Sequence, residues 1–148
     1  VSAEEARQLY QLRALLEGFC GAEFALKGRD DELDRLKDAC EAFAAAASGQ
    51  APTEQLVARK AEFYRCLIKG ARNIYVEDML TSLHNRVSML RATTMTQPDR
   101  LPRSVEEIRD ITDAICARDS ERARRASILH VEESSKIALQ ILSAQELA

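Results

Sequence analysis

The stretch LVARKAEFYRCLIKGARN, residues 56–73, decides how the rest of the chain is interpreted. Written as a helix, it places Leu56, Phe63 and Leu67 on one face, together with Lys60. A cation in an otherwise apolar stripe costs free energy unless another group accepts it. Lys60 therefore either extends along the helix to reach water or lines a polar cavity inside a helical bundle. In both interpretations Tyr64, about one turn further on, lies beside it.

The composition indicates one globular helical domain. The chain has 148 residues, of which 46% are hydrophobic and 30% charged, with few glycines, prolines and aromatic residues. Abundant Ala, Leu, Glu and Arg favour helix over sheet. The net charge of −3 gives no electrostatic reason for binding DNA or an anionic membrane. No apolar run is long enough to cross a bilayer, so we expect no membrane contact.

Capping signals divide the chain into six predicted helices, which we expect to form an all-α antiparallel bundle in a single domain, residues 1–148. Ser2 and Glu5 form a capping box for the first helix, and Ser104 and Glu107 form one for the fifth. Two prolines make residues 97–103 an irregular connection. The predicted bounds, caps included, are about 2–27, 30–48, 53–70, 73–95, 104–117 and 119–146.

The first helix has two faces that need to be told apart. We expect its core side to be the apolar stripe at spacings of three and four: Leu9, Leu12, Leu16 and Phe19. Arg13 and Glu17 lie on the adjoining face, one turn apart, where they can form an ion pair.

No set of residues in the sequence indicates catalysis, so we do not expect an enzyme. His130, in line with apolar residues of the sixth helix, is predicted to be a hydrogen-bonded core residue. His84 is predicted at the surface or between helices, with no assigned role. The four cysteines lie one to a helix without a CxxC pair, and we expect buried free thiols in a reducing cytoplasm: Cys20, Cys40, Cys66 and Cys116.

Three segments, in their order and spacing, resemble a known family. They are LYQLRALLEG (9–18), AEFYRCLIKGARN (61–73) and RSVEEIRDITDAICARDSERARRASILHVEES (103–134). Together they are similar to the C-terminal ligand-binding domain of FadR-type regulators, the FCD domain, within the GntR family of bacterial transcription factors. The resemblance extends through most of the chain and implies an FCD-like helical bundle that binds an effector.

In many domains of that family an Asp and three His hold a divalent metal. Carried over to this sequence, the four positions are Lys60, Tyr64, Ile108 and His130, so only the last ligand is retained. Lys and Ile are not usable metal ligands, and Tyr is a poor one for zinc. The resemblance therefore implies a degenerate metal site, and we expect neither a metal nor another cofactor.

The same positions favour an anion site. Lys60 in place of an Asp changes the charge of the site by two units, so its ammonium can attract an anionic effector directly. Arg13 matches the family's first-helix Arg and offers a planar fork suited to a carboxylate. Tyr64 and His130 can add hydrogen bonds. Two alternatives stay open: Arg13 only pairs with Glu17, or Tyr64 and Ile108 fill the former cavity.

The resemblance implies the effector-binding and dimerisation domain of a FadR-subfamily transcriptional regulator. We expect a cytoplasmic homodimer that binds a small organic acid or another anionic metabolite. DNA binding is expected only through an N-terminal winged helix-turn-helix that is absent from this chain. The alternative is a ligand-free helical dimerisation module with a closed pocket and no metal.

Overall fold

Six α-helices form the domain. The computed structural model describes every residue from Val1 to Ala148. No strand is present, and none of the helices has both the length and the apolar character needed to cross a membrane. The prediction of an all-α bundle is therefore confirmed. The helices are α1 (Ala3–Lys27), α2 (Asp30–Ser48), α3 (Thr53–Gly70), α4 (Ile74–Met95), α5 (Arg100–Cys116) and α6 (Ser120–Leu147).

Side chains cap three of the helices as predicted. Ser2 Oγ accepts a hydrogen bond from the backbone N–H of Glu5 at 3.0 Å at the start of α1. Asn73 caps α4 and Asp119 caps α6 in the same way. Such caps satisfy donors that the first helical turn leaves without a partner, and this is why the sequence locates these helix starts well.

Close contacts hold α1 between α3 and α6. An added Cβ at Gly21 in α1 would lie 2.8 Å from the carbonyl oxygen of Ala123 in α6. Gly70, the last residue of α3, packs as closely against α1, since a Cβ there would overlap the ring of Phe24. Only residues without a side chain permit these approaches, which bring the inward faces of the three helices together.

The core face of α1 differs from the predicted apolar stripe. Leu9 is buried, but Leu12 and Leu16 are only partly buried and Phe19 is 38% exposed. This correction has a physical reason, since Arg13 and Glu17 neutralise each other and so can be buried together. The inward face carries residues at spacings of three and four: Tyr10, Arg13, Glu17, Cys20 and Phe24.

The fifth helix begins five residues earlier than predicted, since its cap is Asp99 and not Ser104. Pro102 falls in the first turn of α5, where the backbone N–H has no helical partner in any case. The predicted capping box of Ser104 and Glu107 is therefore wrong, and residues 97–103 are irregular only in their first part. Ser104 and Glu107 are interior residues of α5. The additional helical turn before them places Arg100 in the helix with its side chain buried.

Candidate functional site

Lys60 is turned into the bundle. The residue is only 4% exposed, and its Nζ donates a hydrogen bond to Ser104 Oγ at 2.8 Å. Burial, followed by the charges of Arg100 and Arg91, holds the pKa of Lys60 well below its usual value. The interpretation in which Lys60 extends to water is therefore excluded. The lysine instead lies among other cations in the interior.

Arg13 and Glu17 form a fully buried ion pair along one side of α1. Arg13 Nε lies 2.8 Å from Glu17 Oε2, and Nη2 lies 3.4 Å from Oε1. Burial opposes ionisation of Glu17, but the charge of Arg13 outweighs it and holds the pKa of this carboxyl well below its usual range. The predicted pair with Glu17 is thus present, and it forms inside the bundle.

Tyr64 lies at the centre of a cluster of buried polar and charged side chains, which also includes Arg13, Glu17, Lys60 and His130. Its hydroxyl is 2.9 Å from His130 Nε2. Three cationic groups surround its ring centroid: the guanidinium carbons of Arg13 and Arg91 at 5.6 Å and 5.0 Å, and Lys60 Nζ at 5.8 Å. The negative face of an aromatic ring attracts cations, so Tyr64 partly compensates charges that no carboxylate opposes.

His130 connects Tyr64 to an ion pair on α5. Its Nδ1 lies 2.6 Å from Glu107 Oε1, and both Glu107 oxygens also accept hydrogen bonds from Arg100, at 2.7 and 2.9 Å. A carboxylate can only accept, so Nδ1 donates and Nε2 accepts from the Tyr64 hydroxyl. Burial and the charge of Lys60 lower the pKa of His130 to about 3, so the imidazole is neutral. His130 is hydrogen-bonded in the core, as predicted.

Sequence reasoning missed two residues of α4. His84 is mostly buried, with Nε2 3.4 Å from Glu17 Oε2, a long contact that leaves this nitrogen without a well-formed hydrogen bond. Its Nδ1 lies 2.6 Å from Arg91 Nη2, so it accepts from the guanidinium. Both residues continue the spacing of Leu80 and Val87 by threes and fours, and this periodicity was the available signal.

The cluster holds more positive than negative charge. Arg13 and Arg100 are each paired with one carboxylate, Glu17 and Glu107 respectively. Lys60 and Arg91 hydrogen-bond only to neutral groups, the Ser104 hydroxyl and the imidazole of His84. Burial lowers the pKa of His84 to about 4, so it adds no charge near neutral pH. With Lys60 protonated, two positive charges remain without a counter-ion.

A small cavity lies at the centre of these cations. Its volume of about 10 Å³ is room for one water molecule. Arg13, Lys60 and Tyr64, three of the four residues predicted to bind an effector, line it together with Arg91 and Arg100. The fourth predicted residue, His130, does not line the cavity and reaches it only through the Tyr64 hydroxyl.

An open groove runs along the outside of α3 and α4. It has a volume of about 1090 Å³. Tyr64 and Arg91 line both the groove and the inner cavity, so these two side chains form the partition between them. Movement of Arg91 would connect the two spaces.

The residues at the degenerate metal site do not fit a divalent metal. Lys60 is an amine surrounded by guanidinium groups, Ile108 has no donor atom, and both nitrogens of His130 already have partners. Nowhere do three His, Cys, Asp or Glu side chains come together as a metal would require. The four free cysteines do not contribute, and Cys66 and Cys116 are only half-buried, unlike the prediction.

Comparison with known families identifies the family of this chain. Residues 8–133 match the FCD domain, which covers well over half of the chain and every residue of the buried cluster except Ser134, a hydrogen-bond partner of Arg100. A search of curated proteins found no match.

Removing a paired and an unpaired cation is expected to have opposite effects on the free energy of unfolding. Arg13→Met leaves Glu17 buried without its partner and should cost ~3–5 kcal/mol. Lys60→Met removes repulsion from three guanidinium groups and leaves only a Ser104 hydroxyl, which can turn to a backbone carbonyl, so stability should be unchanged or higher. Urea unfolding at pH 7 measures both.

The double variant Arg13→Met/Glu17→Gln is the control for this comparison. It removes both charges together and should recover much of the loss seen in Arg13→Met. A Lys60→Met protein as unstable as Arg13→Met would show that the lysine has a stabilising partner.

The buried imidazoles should make stability depend on pH. The pKa of each is lowered from 6.5, to about 4 in His84 and about 3 in His130, so below pH 6.5 the unfolded chain binds protons that the folded chain does not. Stability is therefore complete above pH 6.5 and is lost as the pH falls towards those values. Between the two limits each His contributes up to ~1.4 kcal/mol per pH unit.

Urea unfolding of wild type and His84→Gln at a series of pH values from 7 to 5 tests this slope. The variant should lose the part of the slope that His84 contributes, whereas His130 and Lys60, whose pKa values burial also lowers, can still take up protons on unfolding. Glu17 and Glu107 add little to the slope above pH 5.5, because their ordinary value of 4.5 lies one unit lower. Equal slopes in the two proteins would mean that His84 is not buried in its neutral form.

Proposed function

Because this chain belongs to the FCD domain family, the regulatory ligand-binding domains of transcription factors, we propose that it is the effector-binding and dimerisation domain of a FadR-subfamily regulator of the GntR family. The proposed effector is a small anionic metabolite that binds among Arg13, Lys60, Tyr64 and Arg91. The excess of positive charge around Tyr64 is the observation that carries this proposal.

An anion would relieve a real energetic cost. Buried cations that have only neutral partners are desolvated without full compensation. A carboxylate placed against Lys60 and the free donors of Arg91 would form charge-assisted hydrogen bonds, which are the strong kind. The desolvation of Lys60 is uncompensated in the empty domain. An anion that binds there compensates it, and this contributes to the free energy of binding.

Binding requires the site to open. A cavity with room for one water cannot hold an organic acid, but the groove beside it shares the side chains of Tyr64 and Arg91 with the cavity. An anion that binds only the open arrangement shifts the population towards it. By analogy with the family, displacement of α4 would then alter the dimer and the spacing of two DNA-binding domains carried elsewhere in the protein.

A carboxylate screen on the 148-residue chain tests this function. Thermal shift with organic acids and phosphorylated metabolites, at matched ionic strength, should reveal at least one anion that stabilises the chain in a saturable way, by ~2.7 kcal/mol at a hundred times Kd. Lys60→Gln should abolish the shift. Arg59→Gln, which removes an exposed cation of the same helix that lines neither the cavity nor the groove, should not.

The second candidate function is a ligand-free dimerisation module, and the small volume of the cavity favours it. In that case Tyr64 and Ile108 fill the interior and the cations serve only the fold. The two functions differ in the outcome of the same screen: if no anion gives a saturable shift, the effector proposal is wrong and the ligand-free module stands.

Dimerisation is supported by apolar side chains that the single chain leaves exposed. Leu15 and Leu26 on α1 are 66% and 63% exposed, and Tyr75 on α4 is 74% exposed. Exposed apolar groups of this size favour burial in an interface. We expect sedimentation velocity to give twice the 16.5 kDa chain mass, and Leu15→Glu/Leu26→Glu to reduce it. A wild-type monomer at high concentration would contradict dimerisation by this domain.

A further inference from the structure

We propose that the effector is a short dicarboxylate, with one carboxylate held by Lys60 and the other by Arg91. This inference rests on the proposed function and narrows its ligand from any small anion to one with two separate negative groups. Its basis is the difference between the paired and the unpaired cations of the cluster.

Two of the four cations already have their charge compensated by a carboxylate. The fork of Arg13 is bound to Glu17, and the fork of Arg100 is bound to both oxygens of Glu107. A ligand that took either guanidinium would leave a buried carboxylate without its partner, which is strongly destabilising. These two arginines therefore shape the cavity and hold its positive potential, but they do not anchor the anion.

The other two cations are available. Lys60 Nζ uses one of its three donors on Ser104 Oγ. Arg91 uses Nη2 on His84 Nδ1, and none of its donors meets a carboxylate. Since an imidazole and a hydroxyl are neutral, no carboxylate compensates either cation, and an anion placed beside Lys60 would favour its protonated form.

The positions of the two anchors suit a ligand with two ends. Lys60 Nζ is 5.8 Å and the Arg91 guanidinium carbon 5.0 Å from the centroid of the Tyr64 ring, so they are at most about 11 Å apart. They come from different helices, α3 and α4, and both line the same cavity. A short carbon chain across the face of Tyr64 would place one carboxylate at each.

Charge matching separates a dianion from a monoanion. A monocarboxylate, even one that bridges both anchors, supplies one negative charge and leaves one positive charge of the two uncompensated. A dicarboxylate neutralises both, so its second carboxylate contributes binding energy rather than a desolvation cost. Arg91 also lines the outer groove and is therefore the first anchor that a ligand arriving along the groove would meet.

Matched pairs of acids test this inference in the 148-residue chain. Malonate, succinate and glutarate are each compared with the corresponding monoamide, which has nearly the same shape and one charge fewer, by calorimetry at constant ionic strength. We expect at least one dianion to bind about tenfold or more tightly than its monoamide. Arg91→Gln should reduce that ratio towards one by weakening only the dianion.

Two further variants keep the result interpretable. Arg103→Gln removes an exposed arginine of α5 that lines neither the cavity nor the groove, and it should leave the ratio unchanged. Arg91→Lys retains the charge without the fork, so it should keep part of the preference for the dianion. This variant provides the measurement if Arg91→Gln fails to fold.

The outcomes separate this inference from the proposed function. The dicarboxylate inference is wrong if each acid and its monoamide bind equally, or if only a phosphate monoester binds in the same assay. In both cases the proposal of an anionic effector remains. If none of these anions binds but a monocarboxylate from the broader screen does, the inference again fails alone. If no anion binds in either experiment, both fail.

Discussion

Four positively charged side chains meet around one buried tyrosine, and only two carboxylates oppose them. The rest of the interior follows from this imbalance. Arg13 and Arg100 are tolerated because each holds a carboxylate in a bidentate pair, and three cations lie close to the Tyr64 ring. Lys60 and Arg91 remain with neutral partners, so the folded domain retains positive charge at its centre.

The positive charge of this site comes from a side chain, where the related pattern has a metal ion. Where the related pattern has an Asp, this chain has Lys60, and the His position one turn later is Tyr64. Tyr64 and His130 now satisfy each other by a hydrogen bond, which removes the last nitrogen that a metal would need. The charge that would attract an anion is thus covalently part of the chain, and its strength depends on the groups that surround the lysine.

Two predictions about the elements failed for related reasons. The α1 stripe was assigned to leucines because charged residues are normally left outside, but a neutralising pair reverses that preference for Arg13 and Glu17. The start of α5 was placed at Ser104 because a Ser followed by Glu three residues later signals a cap and prolines signal irregular chain. In α5 the proline lies in the first turn. The same Ser104 and Glu107 accept hydrogen bonds inside the bundle, from Lys60 and Arg100 respectively.

The sequence left open whether Lys60 turns inward or extends to water. By itself it determined the six helices, three of their caps and the family. These depend on local hydrogen bonds and on the period of one helix, which residues near in sequence encode. Only the tertiary structure decided which cations have partners, since Glu107 meets His130 and Lys60 meets Ser104 across helices. Such pairs, and the volume left among them, depend on the rotation and offset of one helix against another, which no single helix specifies.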